Sequence, residues 1–324
     1  MVAVVTLVLL LVFGALFAGA DSRFKALFEF RFDTSISGEW IGSVCYGLLA
    51  GAAVAGGAFL VGSGAVYPQR SHRRAPLWMW ATPVGALLVM FVMFLVVQAG
   101  SLFRGNDFIT DPDGPTYAEY AREGFWQLVI VTIGVIGVLM VGWYYADASR
   151  GTDRLVMRLL LGGLGVATLG VAASAFHRAL LYINAYGATA ERIFGIFSEI
   201  YLVLILVTLL STGITMSAAR VVHTTVIVTV FATLAFGLAN PDRIVAAINV
   251  DRFADSGKID LPNLADLSPD ARSEILRLPP EQRDCVLAAM AFRAGANEPW
   301  QSFDISSHRL RSASGNSSFD ATCW

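Results

Sequence analysis

Long, uninterrupted apolar blocks constrain the fold of this chain more than any other feature. Most of them run for roughly 18–25 residues, which is the length that a helix needs to cross the hydrocarbon core of a bilayer. Seven blocks can be placed, at about residues 2–20, 40–61, 77–97, 126–145, 155–182, 193–214 and 224–238. The sequence therefore predicts an all-α protein, a polytopic membrane helical bundle of about seven transmembrane helices.

The composition excludes the main alternatives to a membrane protein. Charged residues make up 15 % of the chain and the mean hydropathy is +0.61, whereas a soluble domain carries about 25 % charged residues. So few charges cannot cover a water-facing globule, which rules out a soluble enzyme, a disordered protein and a disulfide-stapled scaffold. The formal net charge of −2 gives no basic surface for nucleic acid, so the predicted partner is the lipid bilayer.

The chain becomes polar after Asn240, which divides it into two predicted regions. We expect a transmembrane helical bundle over residues 1–249 and an extracytoplasmic C-terminal cap with a mobile tail over residues 250–324. Orientation follows from the short loops, because arginine-rich loops stay on the cytoplasmic side. The arginines of the loops after the second, fourth and sixth blocks are Arg70, Arg73, Arg74, Arg150, Arg154, Arg158 and Arg220. We therefore expect a multi-pass protein of the cell membrane with a cytoplasmic N-terminus and an extracytoplasmic tail.

The first block has two interpretations. Ala18-Gly19-Ala20 resembles the small-residue cleavage site of a signal peptide. No Lys or Arg precedes the apolar run. Because signal peptides begin with a basic segment, we favour a retained helix.

The polar tail predicts a small, mostly helical cap. Ser268 is placed to cap a helix over residues 269–277, with an acidic first turn that suits the helix dipole. Pro280 is placed to open a second helix that runs to residue 293. The expected apolar surface of the cap consists of Leu278, Val286, Leu287, Met290 and Phe292.

The cysteines suit the predicted topology and suggest no metal site. Cys285 and Cys323 both lie in the extracytoplasmic tail, where an oxidising compartment favours a disulfide; the alternative is two free thiols. Cys45 lies in the second block. The chain has no Cys-x-x-Cys, no His-Glu-x-x-His, no phosphate loop and no dinucleotide fingerprint. We therefore expect no metal and no cofactor.

Charges inside the apolar blocks concentrate in the outer parts of the fifth and sixth blocks. Arg178 lies about one turn before Tyr182, where the fifth block emerges, and Glu199 lies about two turns after Arg192 in the sixth block. A charge at that depth is costly without a partner, and a short loop makes the two helices antiparallel neighbours. We therefore expect Arg178 and Glu199 to pair. The alternative is that Arg178 snorkels to the headgroups while Glu199 is protonated or solvated.

More polar residues converge on the same outer rim. We expect them to surround one outward-facing cavity between the fourth, fifth, sixth and seventh blocks, because buried polar groups need partners. Two alternatives stay open, an aromatic belt of interfacial tyrosines and a purely structural network. The predicted cluster consists of Tyr117, Tyr120, Arg122, His177, Arg178, Tyr182, Tyr186, Arg192, Glu199, Asn240, Asp242, Asn249 and Arg252. Its arginines favour an anionic ligand, either a small molecule or a lipid headgroup.

At these residues the sequence resembles the bacterial integral-membrane proteins of domain-of-unknown-function family 4173. The resemblance rests on the runs 116–125 and 178–192, on Asn240-Pro241-Asp242 with Asn249 and Arg252, and on 263–271 with Trp300 in the tail. It covers about residues 20–310 and implies a protein of the bacterial cell envelope. The family has no established activity, so the resemblance implies a membrane fold and no mechanism.

Three classes of function remain compatible with the sequence. The first is a cell-envelope protein with an outward-facing polar site, used either for binding or for a membrane-bound reaction. The second is a secondary transporter. Transporters place polar groups near the bilayer midplane and often repeat their halves. This interpretation is less favoured because the sequence shows no clear repeat and no charged residue near the midplane. The third is a sensor or structural subunit of a membrane complex. No catalytic residue and no protein partner can be assigned from the sequence.

Overall fold

The structure, a computed structural model, describes residues 2–29, 76–102, 124–145, 151–213 and 218–295. Within these ranges the chain is helical and contains no strand, which confirms the all-α prediction. The helices are α1 Val2–Ala20, α2 Ser22–Glu29, α3 Leu77–Leu102, α4 Phe125–Tyr145, α5 Gly151–Tyr186, α6 Ala190–Gly213, α7 Ala218–Ala239, α8 Pro241–Ser256, α9 Leu261–Ala265, α10 Arg272–Ile275 and α11 Pro280–Gly295.

Among the described helices, α1, α3, α4, α5 and α6 are long and apolar enough to cross a membrane. A sixth span results if α7 and α8, which meet at a 50° bend, are counted together. Six of the seven predicted blocks are therefore found as helices, and the second block, 40–61, lies outside the described residues. The chain is a multi-pass membrane protein by the length and hydropathy of these helices.

The described residues form two compact units, which we treat separately. The first comprises Met1–Arg178 and Glu199–Val228. Its core consists mainly of aliphatic side chains, and among its aromatic side chains Phe17 is stacked on Phe94 at 4.0 Å between ring centroids. Small residues permit close helix contact here, since a Cβ built on Gly165 would lie 2.4 Å from a methyl group of Leu210.

The second unit comprises Ala179–Ser198 and Thr229–Trp324, and its core joins the corner between α5 and α6 to the helices after α7. Its fully buried side chains include Val245, Leu264, Ile275 and Val286. The polar tail up to residue 295 is thus folded, as a cap would be. The division of the protein into a bundle ending at residue 249 and a cap starting at 250 stays a prediction.

The predicted cap helices are confirmed in part. The helix opened by Pro280 is present as α11, and Leu278, Val286 and Met290 are buried in the core of the second unit. Phe292 is 65 % exposed and does not belong to that core. The segment after Ser268 is not one helix but a 3-10 turn, Pro269–Ala271, followed by α10.

Ser268 does not cap that segment with its side chain, as far as the described residues show. Its backbone N–H instead donates to Oδ2 of Asp242, at 2.9 Å. A carboxylate on α8 thus contacts the residue at which the turn begins.

The corner between α7 and α8 is formed by Asn240, whose φ of 54° places it in the left-handed region. Its Oδ1 accepts a hydrogen bond from the N–H of Arg243 at 3.2 Å, and Pro241 occupies the first position of α8. Asparagine tolerates this conformation better than most residues because its side chain bonds to the local backbone. The helix that carries Asn249 and Arg252 is α8.

Candidate functional site

The turn between α5 and α6 is the centre of the candidate site. It consists of three residues, and the first of them, Gly187, has a φ of +84°. A Cβ at this position would lie 2.4 Å from Oδ1 of Asn249. Both the conformation and the space therefore require glycine.

Asn249, on α8, fixes this turn. Its side chain is 5 % exposed. Its Oδ1 accepts from the N–H of Ala188 at 3.0 Å, and its Nδ2 donates to the carbonyl oxygen of Ala188 at 2.8 Å. The same carbonyl accepts a second hydrogen bond from Nδ2 of Asn263, on α9, at 2.9 Å. Two later helices, α8 and α9, thus each donate a side-chain hydrogen bond to the backbone of one residue in the turn.

Arg192, in the first turn of α6, reaches back over this turn. Its Nη1 donates to the carbonyl oxygen of Gly187, and its guanidinium lies 4.2 Å from the ring centroid of Tyr182. The ring of Tyr182 in turn lies 5.1 Å from that of Tyr186, one turn further along α5. The guanidinium of Arg192 therefore rests on an aromatic surface, an arrangement that stabilises a cation without neutralising it.

Arg252, on α8, approaches the same turn from another side. Its Nη2 donates to the carbonyl oxygen of Ala185 at 2.7 Å, and its Nη1 to that of Lys258 at 3.4 Å. Nη1 also lies 3.7 Å from the position that a Cβ of Gly187 would occupy. Both guanidinium groups therefore lie close to Gly187.

Neither of these two cations has a carboxylate partner among the described residues. The ion pairs found there involve other arginines, for example Arg243 and Arg277 with Glu274. Arg192 and Arg252 are only partly buried, so part of each side chain is accessible from outside the protein. We call the group formed by Tyr182, Gly187, Arg192, Asn249 and Arg252 the turn site. Two oriented guanidinium groups can bind a phosphate or a carboxylate through several charge-assisted hydrogen bonds.

Arg178 lies in the other unit and has a different partner from the one predicted. Its Nη2 donates to Oδ2 of Asp21 at 2.9 Å, and its Nη1 donates to the carbonyl oxygen of Ala20 at 2.7 Å. Oδ1 of Asp21 accepts from the N–H of Arg23 at 3.0 Å and thereby caps α2. The ion pair is 3 % and 2 % exposed at its two side chains. Arg178 thus fixes the corner between α1 and α2.

Glu199, the predicted partner of Arg178, instead contacts Thr132 on α4. Its Oε1 lies 3.4 Å from the hydroxyl oxygen of Thr132, which also lies 3.1 Å from the carbonyl oxygen of Leu128. Its Oε2 has no hydrogen-bond partner among the described residues, and the side chain is 1 % exposed. The expected Arg178–Glu199 pair is therefore corrected to an Arg178–Asp21 pair and a Glu199–Thr132 contact.

The remaining predicted residues are distributed as follows. Tyr182, Tyr186, Arg192, Asn249 and Arg252 come together around the turn between α5 and α6. Elsewhere in the same unit, Asn240 accepts a hydrogen bond from the N–H of Arg243, and Asp242 accepts one from the N–H of Ser268. In the first unit, His177 is exposed. Tyr117, Tyr120 and Arg122 lie outside the described residues. A single cavity lined by all of these residues stays a prediction.

Two contact residues were not assigned to the site from sequence, although each leaves a signal. Asp21 directly follows the first apolar block and precedes a short amphipathic segment, which is the pattern of a helix N-cap. Thr132 is a polar residue within an apolar block. Neither signal identifies the partner, because the partner is more than 60 residues away in the sequence.

The described residues contain no group of three His, Cys, Asp or Glu side chains that could bind a metal ion. Cys285 is disulfide-bonded. The two other cysteines of the chain, Cys45 and Cys323, lie outside the described residues. Pairing of Cys285 with Cys323 therefore stays a prediction.

Comparison with known families gives one match. The family described as Domain of unknown function (DUF4153) matches residues 1–278. The match overturns the resemblance to domain-of-unknown-function family 4173, which was wrong. No curated protein and no solved structure matches the chain. The matched region contains the whole turn site, Asp21, Arg178 and Glu199.

Proposed function

Since the chain belongs to the family described as Domain of unknown function (DUF4153), whose name gives no activity, we propose from its residues that it is a membrane protein that binds an anionic ligand at the turn site. The observation that carries this proposal is the pair of guanidinium groups of Arg192 and Arg252, both beside Gly187 and both without a carboxylate partner among the described residues. Arg243, Arg277 and Arg283 of the same unit, by contrast, each contact a carboxylate.

The positions of the two arginines are fixed before any ligand arrives. Arg192 is oriented by the Tyr182 ring and the Gly187 carbonyl, and Arg252 by the Ala185 carbonyl. Backbone carbonyls orient a guanidinium while leaving its net charge intact. An anion that binds there loses little free energy to ordering of the two side chains, because that ordering is already complete.

We place the turn site on the extracytoplasmic side of a bacterial cell membrane. The arginine-rich loops are expected on the opposite, cytoplasmic side. The disulfide bond of Cys285, in the same unit as the turn site, supports this orientation because oxidising compartments lie outside the cytoplasm.

The proposal is tested with the full-length protein purified in a neutral detergent. The probes are inorganic phosphate, compared with chloride at equal ionic strength, and phosphatidylglycerol. We expect at least one of them to raise the unfolding temperature of the wild type and not that of the double variant Arg192→Gln/Arg252→Gln. Glutamine keeps a donor for the backbone carbonyls and removes the charge.

Arg283→Gln is the matched control, because Arg283 lies in the same unit and contacts Asp284, its neighbour in the sequence. The control should respond to the probes like the wild type. Circular dichroism establishes that the double variant keeps its helical content. An equal response of the wild type, the control and the double variant to both probes would contradict anion binding at this site.

A further inference from the structure

We infer that the anion bound at the turn site is the phosphate of an anionic membrane lipid, an inference that rests on the proposed function. The chemistry shared by all candidate ligands is a phosphate group between the guanidinium groups of Arg192 and Arg252. What distinguishes a lipid from a soluble phosphate is the surroundings of these two groups, namely their level along the membrane-crossing helices and the side chains next to them.

The site lies where two membrane-crossing helices end. The span Gly151–Tyr186 stops immediately before Gly187, and the span Ala190–Ser211 starts three residues later. The apolar block of the first of these helices ends near Tyr182, about one helical turn before Gly187. The turn therefore lies just beyond the hydrocarbon, at the level of the headgroups, which is where lipid phosphates are located. A lipid phosphate is therefore already at the level of the turn, whereas a soluble anion must reach it from the aqueous phase.

The side chains next to the cations suit a ligand that is partly apolar. Tyr182 and Tyr186 form a continuous aromatic surface at the end of α5, and Tyr186 is 48 % exposed. Tyrosine rings are typical of the level at which headgroups meet acyl chains. In the next helix, Phe194 is 51 % exposed only two residues after Arg192. Inorganic phosphate has no apolar part that could use these surfaces.

The charge of the site selects among lipids. Two guanidinium groups without a carboxylate partner among the described residues attract a headgroup with net negative charge. A zwitterionic headgroup also brings an ammonium group, which the same two cations repel. Binding should therefore favour phosphatidylglycerol over phosphatidylcholine and should weaken as salt concentration rises.

The experiment measures lipid binding to the delipidated, full-length protein by native mass spectrometry. The three probes are phosphatidylglycerol, phosphatidylcholine and glycerol 3-phosphate, the last being a phosphate headgroup without acyl chains. We expect wild-type protein to bind phosphatidylglycerol most tightly. Arg192→Gln and Arg252→Gln should each weaken this binding on the order of tenfold, the usual effect of losing one charge-assisted hydrogen bond. Arg283→Gln should leave it unchanged.

The outcomes separate this inference from the function on which it rests. Equal or tighter binding of glycerol 3-phosphate, lost in Arg192→Gln, would overturn the lipid assignment and leave anion binding intact. Equal binding of phosphatidylcholine would overturn the preference for an anionic headgroup. If no probe depends on Arg192 or Arg252 while both variants keep wild-type helical content, both the lipid assignment and the proposed function are wrong.

Discussion

The side-chain amide of Asn249 forms two hydrogen bonds with the peptide groups of one residue, Ala188. It accepts from the N–H at 3.0 Å and donates to the carbonyl oxygen at 2.8 Å. The amide therefore replaces the partners that a backbone strand would supply to the turn between α5 and α6. Because Asn249 is 5 % exposed, water cannot take its place at low cost.

Replacement of Asn249 by alanine should destabilise the second unit by roughly 2–4 kcal/mol, since two hydrogen bonds are lost and the N–H of Ala188 is left unsatisfied. The measurement is denaturant unfolding of the full-length protein in detergent. Asn263→Ala is the matched control, because Asn263 gives only one hydrogen bond to the same carbonyl. We expect it to cost about 1 kcal/mol. Equal losses in the two variants would contradict the double contact.

Gly187→Ala should be more destabilising than Gly257→Ala. Both glycines have positive φ, so both variants carry the conformational cost of about 1–2 kcal/mol. Only at Gly187 does the new Cβ meet a neighbour, Oδ1 of Asn249 at 2.4 Å, while nothing lies within 4 Å at Gly257. The double variant Gly187→Ala/Asn249→Ala should lose less stability than the sum of its single changes. Similar unfolding midpoints for the two glycine variants would show that the turn can shift away from Asn249 at little cost, which would contradict the close contact at Gly187.

Arg178→Ala should cost about 3–5 kcal/mol, because it leaves the buried carboxylate of Asp21 without its cation. A double-mutant cycle with Asp21→Ala should show strong coupling, and a cycle with Glu199→Ala should show less. Arg178→Lys should rescue only part of the loss, since one ammonium cannot reproduce the fork that binds both Asp21 and the Ala20 carbonyl. Coupling to Glu199 that matches coupling to Asp21 would reinstate the pair expected from sequence.

The second unit should lose stability in acid through Glu274. Hydrogen bonds from Arg243, and to a smaller extent from Arg277, lower the pKa of Glu274 from its ordinary value of 4.5. A carboxyl group with a lowered pKa in the folded state stabilises that state above its unfolded pKa, and the contribution disappears as the pH falls through the folded pKa. The stability difference between wild type and Glu274→Gln should therefore shrink below about pH 4.5.

The control for Glu274 is Glu281→Gln, a change at an exposed residue of the same unit. Its difference from wild type should be small throughout the pH titration. Raising the salt concentration at neutral pH should reduce the Glu274 effect as well, because Arg243 and Arg277 are largely exposed. A stability difference for Glu274→Gln that stays constant from neutral pH to pH 3 would contradict this assignment.

The orientation of the chain is tested by the state of Cys285. Protein isolated without reductant should resist alkylation at Cys285, and mass spectrometry should find it linked to Cys323. Cys323→Ser should free the Cys285 thiol, and because that side chain is only 9 % exposed, it should react slowly with an impermeant maleimide added to intact cells. Labelling of Cys285 in the variant only after cell lysis would place the cap in the cytoplasm, opposite to the predicted orientation.

The membrane-crossing helices could be predicted from sequence because hydropathy and length are local properties. Six of the seven blocks are helices within a few residues of their expected ends, for example Phe125–Tyr145 for about 126–145. The grouping of Tyr182, Arg192 and Arg252 was also expected, since each follows from the same change of polarity at the ends of α5, α6 and α7.

The choice of partners could not be predicted in the same way. Arg178 and Glu199 were expected to pair because antiparallel neighbours bring them to similar depth, but depth does not fix the direction of a side chain around its helix. Arg178 pairs with Asp21 rather than with Glu199 because the carbonyl oxygen of the preceding residue, Ala20, accepts a second hydrogen bond from the same guanidinium. The role of Asn249 was hidden for a similar reason, since its partner is a backbone group that no sequence pattern marks.

The left-handed conformation of Asn240 determines the direction in which α8 leaves the end of α7. Asn249 lies nine residues along α8 from this corner, a distance of about 13 Å at the usual helical rise. An angular error of about 5° at the corner would move the Asn249 amide by about 1 Å, enough to break its hydrogen bonds with Ala188. The backbone dihedrals of Asn240 therefore determine the direction of α8 and, with it, the position of the Arg252 guanidinium. The contact between Oδ1 of Asn240 and the N–H of Arg243 stabilises these dihedrals.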